Sequence, residues 1–259
     1  MKLARAIKNN WSGLLVLGLA LIAWELLAQR DRSFFFPPIS TIFSTFYEVW
    51  FSPRFLEHAI PSLGRMFAGY LLAAALGIVL GMLTGSIESL HKTLEPFLEF
   101  MRALPHALLI PIGILFLGIG DTMKVVLIIS SVVWPILLNS TEGARNVSQE
   151  RLDTAANFGL GRLEVIRRVV FPSALPMIFA GLRIGLAFAF IMVVVSEMIG
   201  STNGIGYYIL NAQRTFAVPD MFAGILLLAL LGYGFNSIFL WIESKVLFWH
   251  RGETGQLEG

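Results

Sequence analysis

Charged residues inside apolar stretches are the groups in this chain that could do chemistry. Arg183 is the one charge in the run 174–196, where a cation costs about 2.5–3.5 kcal/mol on insertion scales. We therefore expect it to face the bundle interior or a water-filled cavity, where its field would suit a small anion. The alternative is a structural cation that pairs with backbone carbonyls or snorkels to the headgroups. Glu197 and Glu25 are weaker candidates, because both lie near a membrane interface.

No residue pattern predicts a catalytic or metal site. The four histidines, His58, His91, His106 and His250, form no i,i+4 pair and accompany no carboxylate set. The chain contains neither a Gly-x-Ser-x-Gly turn nor a phosphate-binding Gly-x4-Gly-Lys-Ser/Thr loop. An intramembrane serine protease would need a Ser opposite a His at membrane depth, and only His106 lies near a span interior. We expect no catalytic residue, no metal, no cofactor and no enzyme.

Composition indicates that lipid is the solvent for most of the chain. Of 259 residues, 56% are hydrophobic and 14% are charged, against about 25% charged in a soluble domain. The mean hydropathy is +0.74. The net charge of +2 offers no electrostatic footprint for a nucleic acid. Zero cysteines exclude disulfides and Cys-ligated centres.

Apolar runs predict an all-α membrane protein with six transmembrane helices. The runs are 11–28, 66–87, 103–120, 125–141, 174–196 and 221–242. The first is read as a helix rather than a signal peptide, because Leu26 occupies a position where cleavage needs a small residue. Pro105, Pro111 and Gly113 predict that the third run is kinked or broken. Together the spans would use about half of the chain, which leaves no room for a large catalytic domain.

The chain then divides into three parts. Residues 1–60 hold the first span and an amphipathic helix over 39–50, expected in the membrane interface after Pro37-Pro38, with Ser40 at its N-cap. Alternatively, that short helix packs on the rest of the protein. Residues 61–249 form a core of five spans, and 250–259 a cytoplasmic tail. The excess of Lys and Arg favours both termini inside, although Arg30 and Arg32 argue the other way.

The hydrophilic segment 142–172, between the fourth and fifth spans, has the pattern of two short helices. Ser148 can cap the first helix, and Gly159 and Gly161 can stop it. A second helix starts at Arg162 and is expected to end at Pro172. The first helix carries a small apolar face, which we interpret as a knob that fits a groove on another protein. That face consists of Leu152, Ala155 and Ala156. The alternative is a hairpin that merely connects two spans.

This segment resembles the cytoplasmic loop motif of membrane subunits of ATP-binding cassette (ABC) importers. That motif is Glu-Ala-Ala, three residues, Gly, nine residues and Ile-x-Leu-Pro, and the chain has Asp153-Thr154-Ala155, Gly159 and Val169-Val170-Phe171-Pro172 at the same spacing. The departures are Asp153, Thr154, Val169 and Phe171. Further segments look like the nitrate, sulfonate, taurine and bicarbonate branch, and the resemblance spans 36–249. They are Phe36-Pro37-Pro38-Ile39-Ser40, Ser62-Leu63-Gly64-Arg65, Arg102-Ala103-Leu104-Pro105, Leu109-Ile110-Pro111, Gly118-Ile119-Gly120, Glu197-Met198-Ile199-Gly200 and Gly204-Ile205-Gly206-Tyr207.

The resemblance implies a permease of the type I ABC importer fold in a bacterial inner membrane. It implies a homodimer that receives a small anion, such as a sulfonate, taurine or nitrate, from an extracytoplasmic solute-binding protein and is driven by two cytoplasmic ATPase subunits. The first loop helix would be the coupling helix, and the coupling residues would be Asp153, Thr154, Ala155, Ala156, Phe158, Gly159, Leu160, Gly161 and Pro172. A second interpretation, a stand-alone secondary transporter or channel, would be favoured by inverted repeats, and none is seen.

Two stripes of small residues predict close helix packing. Gly77, Gly81 and Gly85 continue a four-residue repeat that starts at Ala73, and Gly181, Gly185 and Ala189 repeat the spacing in the fifth span. Whether they pack within one subunit or across a dimer is left open by the spacing. Arg183 and Glu197 are the two residues expected along the translocation pathway.

Overall fold

The computed structural model describes residues 2–31 and 33–248, and the predicted tail 250–259 lies outside them. The described residues form helices and connecting turns. The helices are α1 Lys2–Asp31, α2 Ile39–Trp50, α3 Ile60–Ser86, α4 Glu88–Ala103, α5 Ile110–Leu117, α6 Asp121–Arg145, α7 Gln149–Asn157, α8 Arg162–Val165, α9 Phe171–Ile199, α10 Ile205–Arg214 and α11 Val218–Val246. The π-helical turn Phe55–Ala59 precedes α3, the 3-10 turn His106–Leu109 precedes α5, and the π-helical turn Ile166–Val170 joins α8 to α9.

Four of the described helical segments are long and apolar enough to cross a membrane. They are Phe55–Ser86, Asp121–Arg145, Arg162–Ile199 and Val218–Val246. The number of candidate spans rises to five if the two helical segments Glu88–Ala103 and His106–Leu117, which are bent relative to each other, form one broken span. The first predicted span falls within α1, a helix of 30 residues, and its membrane crossing stays a prediction. The all-α architecture is confirmed.

The third predicted run is broken, as its prolines indicated, and the break lies at the start of the run. The run 103–120 begins at the break itself, because α4 ends at Ala103 and the chain is extended at Leu104 and Pro105. The helix after the break lies at 86° to α4. Pro105 cannot donate a backbone hydrogen bond and forces Leu104 out of the helical region, which explains why the helix stops there.

Helices α3, α6 and α9 form the centre of the bundle, and small residues set their spacing. A Cβ added at Gly81 would lie 2.5 Å from the Leu137 carbonyl oxygen of α6, and one at Gly185 would lie 3.0 Å from the Ile136 side chain. The Thr141 hydroxyl of α6 donates to the Gly81 carbonyl over 3.2 Å. Both glycine stripes therefore contact α6 of their own chain, and Ile136 lies between them.

The amphipathic helix α2 has the predicted limits and packs on α11. The Trp50 indole donates to the Ala223 carbonyl of α11 over 3.0 Å, and Val49 is buried beside it. This contact favours the alternative of a short helix packed on the protein. Ser40 was wrong as the N-cap, because Pro38 holds that position and the Ser40 amide and hydroxyl instead donate to the Glu25 carboxylate of α1.

The second helix of the loop does not end at Pro172 and runs directly into the fifth span. Residues Arg162–Ile199 form one continuous helical segment. Pro172 lies in the first turn of α9, directly after the π-helical turn, where Phe171 donates to the Ile166 carbonyl. A proline is tolerated there because the π turn absorbs the missing donor. The loop is therefore joined rigidly to α9.

Candidate functional site

Helix α7 lies between the fourth and fifth spans and is continuous with neither of them. Ser148 is at its N-cap position, but its side chain makes no cap hydrogen bond. Side-chain bonds stabilise the helix instead: the Gln149 amide donates to Asp153 over 2.9 Å, and the Thr154 hydroxyl donates to the Glu150 carbonyl over 2.7 Å. The predicted helix is present, and its predicted cap is not.

Part of the apolar face of α7 packs against its own chain, and the expectation that this face fits a partner stays a prediction for its exposed part, Ala156. Ala155 is buried and Leu152 is half-buried against the cluster around Val147 and Val170. Asp153, Thr154, Ala156 and Asn157 are exposed. The physical reason is that a nine-residue helix is unstable alone and needs a surface of its own chain on which to fold.

The turn after α7 depends on Gly159. Its φ is +69°, its amide donates to the Ala156 carbonyl over 2.9 Å, and the Leu160 amide donates to the Ala155 carbonyl over 3.1 Å. This pair of bonds is the Schellman arrangement, which needs a left-handed residue. Gly161 has φ −67° and is the N-cap residue of α8, so it is not a second left-handed stop.

Two large apolar side chains flank this turn and face outward. Phe158 is 80% exposed and Leu163 is 78% exposed. The Arg151 guanidinium donates to the Ser173 hydroxyl over 3.1 Å, which connects α7 to the start of α9. Beneath α7 lies a shallow groove that includes Leu160 and Pro172. The turn therefore presents an apolar surface on a rigidly attached element.

A buried ion pair lies at the opposite end of the bundle, where α3 and α6 begin and α9 ends. The Arg65 guanidinium donates to the Glu197 carboxylate over 2.7 Å, and the two side chains are 5% and 0% exposed. Arg65 also pairs with Asp121 at 2.8 Å and with the Asn203 side chain at 2.6 Å. We refer to Arg65, Glu197, Asp121, Asn203 and Ser62 as the charge network; Arg65, Glu197 and Ser62 are buried in it, and Asp121 is exposed.

Hydrogen bonds complete the coordination of the Glu197 carboxylate. The Ser62 hydroxyl lies 2.8 Å from both of its oxygens, and the Gly206 amide donates over 3.0 Å. Ser62 in turn accepts from the Ile205 amide over 2.8 Å. The buried carboxylate therefore accepts hydrogen bonds from Arg65, Ser62 and the Gly206 amide. The network joins α3, α6, α9 and the start of α10.

The two residues expected along the pathway, Glu197 and Arg183, have other surroundings within their own bundle than the sequence suggested, and their place along the pathway stays a prediction. Glu197 is fully buried with its oxygens occupied, so it is neither wet nor exposed to a solute. Arg183 is exposed on α9 and does not face the interior of its own bundle. Arg65 was not among the expected site residues, although a cation directly before the apolar run 66–87 was the available signal.

A titratable hydroxyl, that of Tyr208, also lies near the charge network. At the same end, burial and a 2.6 Å hydrogen bond to Asp220 raise the pKa of Tyr208, so its hydroxyl stays a donor at neutral pH. Within residues 2–31 and 33–248, no group of three or more His, Asp or Glu side chains could hold a metal ion.

The long apolar helices and the helical loop joined to one of them indicate a polytopic membrane protein. The chain belongs to the binding-protein-dependent transport system inner membrane component family, whose model matches residues 73–248. It is therefore an inner-membrane permease of an ABC transporter and not an enzyme. The family implies ATPase and solute-binding protein partners.

Three relatives identify the branch of the family to which this chain belongs. The chain is 31% identical to the putative aliphatic sulfonates transport permease protein SsuC of Bacillus subtilis, over 96% of this chain and 91% of that protein. It is 27% identical to the taurine transport system permease protein TauC of Escherichia coli, over 90% and 88%. It is also 27% identical to the nitrate import permease protein NrtB of Synechocystis, over 88% and 86%. The chain is thus a permease of the nitrate, sulfonate, taurine and bicarbonate branch, as the resemblance predicted.

Solved structures support the fold. A chain of the inward-facing MetNI methionine ABC transporter superposes with a TM-score of 0.63 at 18% identity, over 73% of this chain and 94% of that chain. This likeness concerns the fold alone.

Proposed function

We propose that this chain forms half of the translocation pathway of an ABC importer for a small anion. Two copies would assemble with two ATPase subunits and a solute-binding protein in a lipid bilayer. Helix α7 and the turn at Gly159 would transmit the movement of each ATPase to α9. Both termini would be cytoplasmic, because Arg145, Arg151 and Arg162 lie at the α7 end of the bundle.

The names of the relatives support an anionic solute. The transport proteins that this chain resembles carry the names of sulfonates, taurine, nitrate and bicarbonate. All of these solutes carry a negatively charged oxygen group. We propose that the solute of this chain belongs to this class of small oxyanions, and we assign no single member of the class.

The rigid attachment of α7 to α9 is the observation that carries the coupling proposal. Helix α7 packs inward through Ala155, the Arg151–Ser173 bond holds it to α9, and α8 continues into α9 without a break. A force applied to Phe158 or Leu163 is therefore passed to the fifth span. A loose connecting hairpin would not transmit it.

Packing in the bundle centre supports a pathway between two copies. Helices α3, α6 and α9 touch at glycines: an added Cβ would lie 2.9 Å from a neighbouring helix at Gly77, 2.5 Å at Gly81 and 2.8 Å at Gly181. No channel for a solute passes between helices at that spacing. The solute pathway would therefore lie along the outer surface of α3, α6 and α9, and a second copy of the chain would enclose it.

The test is ATP-driven uptake by the complete complex in proteoliposomes. The permease, its ATPase subunits and its binding protein are reconstituted, and uptake of labelled taurine, nitrate and an alkanesulfonate is measured. We expect uptake of at least one anion that requires all three components and ATP. Uptake by the permease alone, driven by an ion gradient, would instead support a stand-alone secondary transporter.

A further inference from the structure

A cavity of about 480 Å³ lies beside the break between α4 and α5. Its walls come from the break, from 131–139 in the middle of α6 and from 184–195 of α9. Non-helical backbone at membrane depth is stable only where protein covers it or a water-filled cavity reaches it. The break therefore places exposed backbone and a cavity together inside the spanning region.

Hydrogen-bonding groups line the cavity at and near the break. The His106 Nε2 atom is buried and has no hydrogen-bond partner among the described residues. Ser131 and the Asn139 amide lie on the α6 wall, and Asn139 uses one N–H for the Pro135 carbonyl, which leaves its second N–H. A buried polar atom without a partner is costly, and in the tautomer that carries its proton on Nε2 the His106 ring would donate to a bound acceptor.

The positive charge at this cavity comes from Arg102 and not from Arg183. Arg102 lines the cavity and pairs with the exposed Glu99 at 2.7 Å. On α9, the neighbouring residue Ile184 lines the cavity and Arg183 does not. A side chain that is more than half exposed can change partners at little cost. An anion near the break would therefore find a cation at the rim and a donor at His106.

Most of the remaining cavity wall is apolar. Trp134 comes from α6, and Phe188, Ile191 and Met192 come from α9. Nitrate or bicarbonate has no apolar part to set against these side chains, whereas an alkyl group would remove them from water. A cavity of this size, mostly apolar with a few polar groups, is typical of sites for small organic ligands.

We infer that this cavity binds a small organic anion with an alkyl tail, of the alkanesulfonate class. The anionic head lies against His106 and Arg102, and the tail lies against Trp134 and Phe188. The inference rests on the proposed function, because it names the solute class of the same pathway. It adds a site within the permease itself, separate from any site on the binding protein.

The test is direct binding of 3-bromopropanesulfonate to the purified permease–ATPase complex. Bromine quenches tryptophan fluorescence at contact, and Trp134 is the tryptophan that lines the cavity. We expect saturable quenching that unlabelled propanesulfonate reverses and that Trp134→Phe abolishes. His106→Ala should weaken binding about tenfold, as expected for the loss of one hydrogen bond to a charged group. Trp241→Phe, which changes an exposed indole of α11, is the matched control and should leave the quenching intact.

Two further probes separate the contributions of head and tail. Potassium bromide lacks the tail and 3-bromopropanol lacks the charge, so neither should saturate in the same concentration range. Quenching that survives Trp134→Phe, or that is unaffected by His106→Ala, overturns the inference. If ATP-driven uptake by the complex persists while this binding is absent, the site is wrong and the proposed function stands. If ATP-driven uptake is absent while binding is found, the proposed function fails and the site stands.

Discussion

The Arg65 guanidinium and the Glu197 carboxylate lie 2.7 Å apart, and both side chains are buried. They join the start of α3 to the end of α9, 132 positions further along the chain. A pair of this kind is costly to break, because the remaining partner becomes a buried charge without a counter-ion. The network therefore fixes α9 at one end, while α7 is attached at the other.

The ion pair should dominate the stability of this end of the bundle. Arg65→Met is expected to lower the free energy of unfolding by about 3–5 kcal/mol, because Glu197 stays buried and unpaired. Thermal unfolding of the purified protein in detergent measures the loss. The double variant with Glu197→Leu should recover much of it, since both charges are then gone.

Arg54→Met is the matched control for that cycle. Arg54 is about half exposed and lies 3.7 Å from Asp220, so its replacement should cost no more than about 1 kcal/mol. Equal losses for Arg54→Met and Arg65→Met, or a double variant as unstable as the sum of the single ones, would contradict this account of the pair.

The close approach of α3 and α6 should not tolerate a side chain at Gly81. Gly81→Ala places a methyl group 2.5 Å from the Leu137 carbonyl oxygen, so the helices must separate. We expect a destabilisation of about 1–3 kcal/mol, as for overpacking of a core. Gly64→Ala, in the same helix with nothing within 4 Å, should be neutral or slightly stabilising. Similar melting temperatures for both variants would show that this contact does not set the helix spacing.

The turn after α7 should fail when Gly159 carries a side chain. Gly159→Leu has open space around it, but a leucine at φ +69° costs about 1–2 kcal/mol and opposes the Schellman turn. We expect normal membrane levels with ATP hydrolysis uncoupled from uptake. Gly161→Leu, at φ −67° and also in open space, should remain coupled. Normal uptake by Gly159→Leu would count against the assigned coupling segment.

The position of Arg183 requires a polar environment in the assembled permease. The side chain is exposed and makes no hydrogen bond or ion pair with other described residues, and a charge that faces lipid in mid-span is costly. We expect Arg183→Met to leave protein levels unchanged and to lower uptake of the transported anion several-fold. Unchanged uptake at normal levels would assign Arg183 a merely peripheral position.

The sequence predicted the helices and the loop better than their contacts. Hydropathy located α3, α6, α9 and α11, because membrane depth sets the length of an apolar run. The ends were less certain: Pro172 suggested a helix end, but the π turn before it let the helix continue into α9. Local pattern cannot show such a turn, since it depends on the packing of the following span.

The candidate sites depended on contacts between distant residues, and sequence reasoning placed them less well. Arg65 and Glu197 lie in different spans, and nothing in either segment alone indicates a pair. The small face of α7 was visible at Ala155, but its direction, toward its own chain, follows from the tertiary fold. The prolines in the run 103–120 predicted a break in a helix, but they did not predict the cavity beside Leu104 and Pro105.

Crosslinking from α7 tests the coupling proposal most directly. The chain has no cysteine, so Asp153→Cys and Asn157→Cys each provide a single exposed thiol in the complete complex. Gln213→Cys, exposed on α10 at the opposite end, is the control. With a short bifunctional maleimide and single cysteines in the ATPase, we predict an ATPase–permease product from Asp153→Cys and Asn157→Cys and none from Gln213→Cys. No product from the two α7 positions, or an equal yield from Gln213→Cys, would contradict the claim that α7 is the contact through which the ATPase drives this permease.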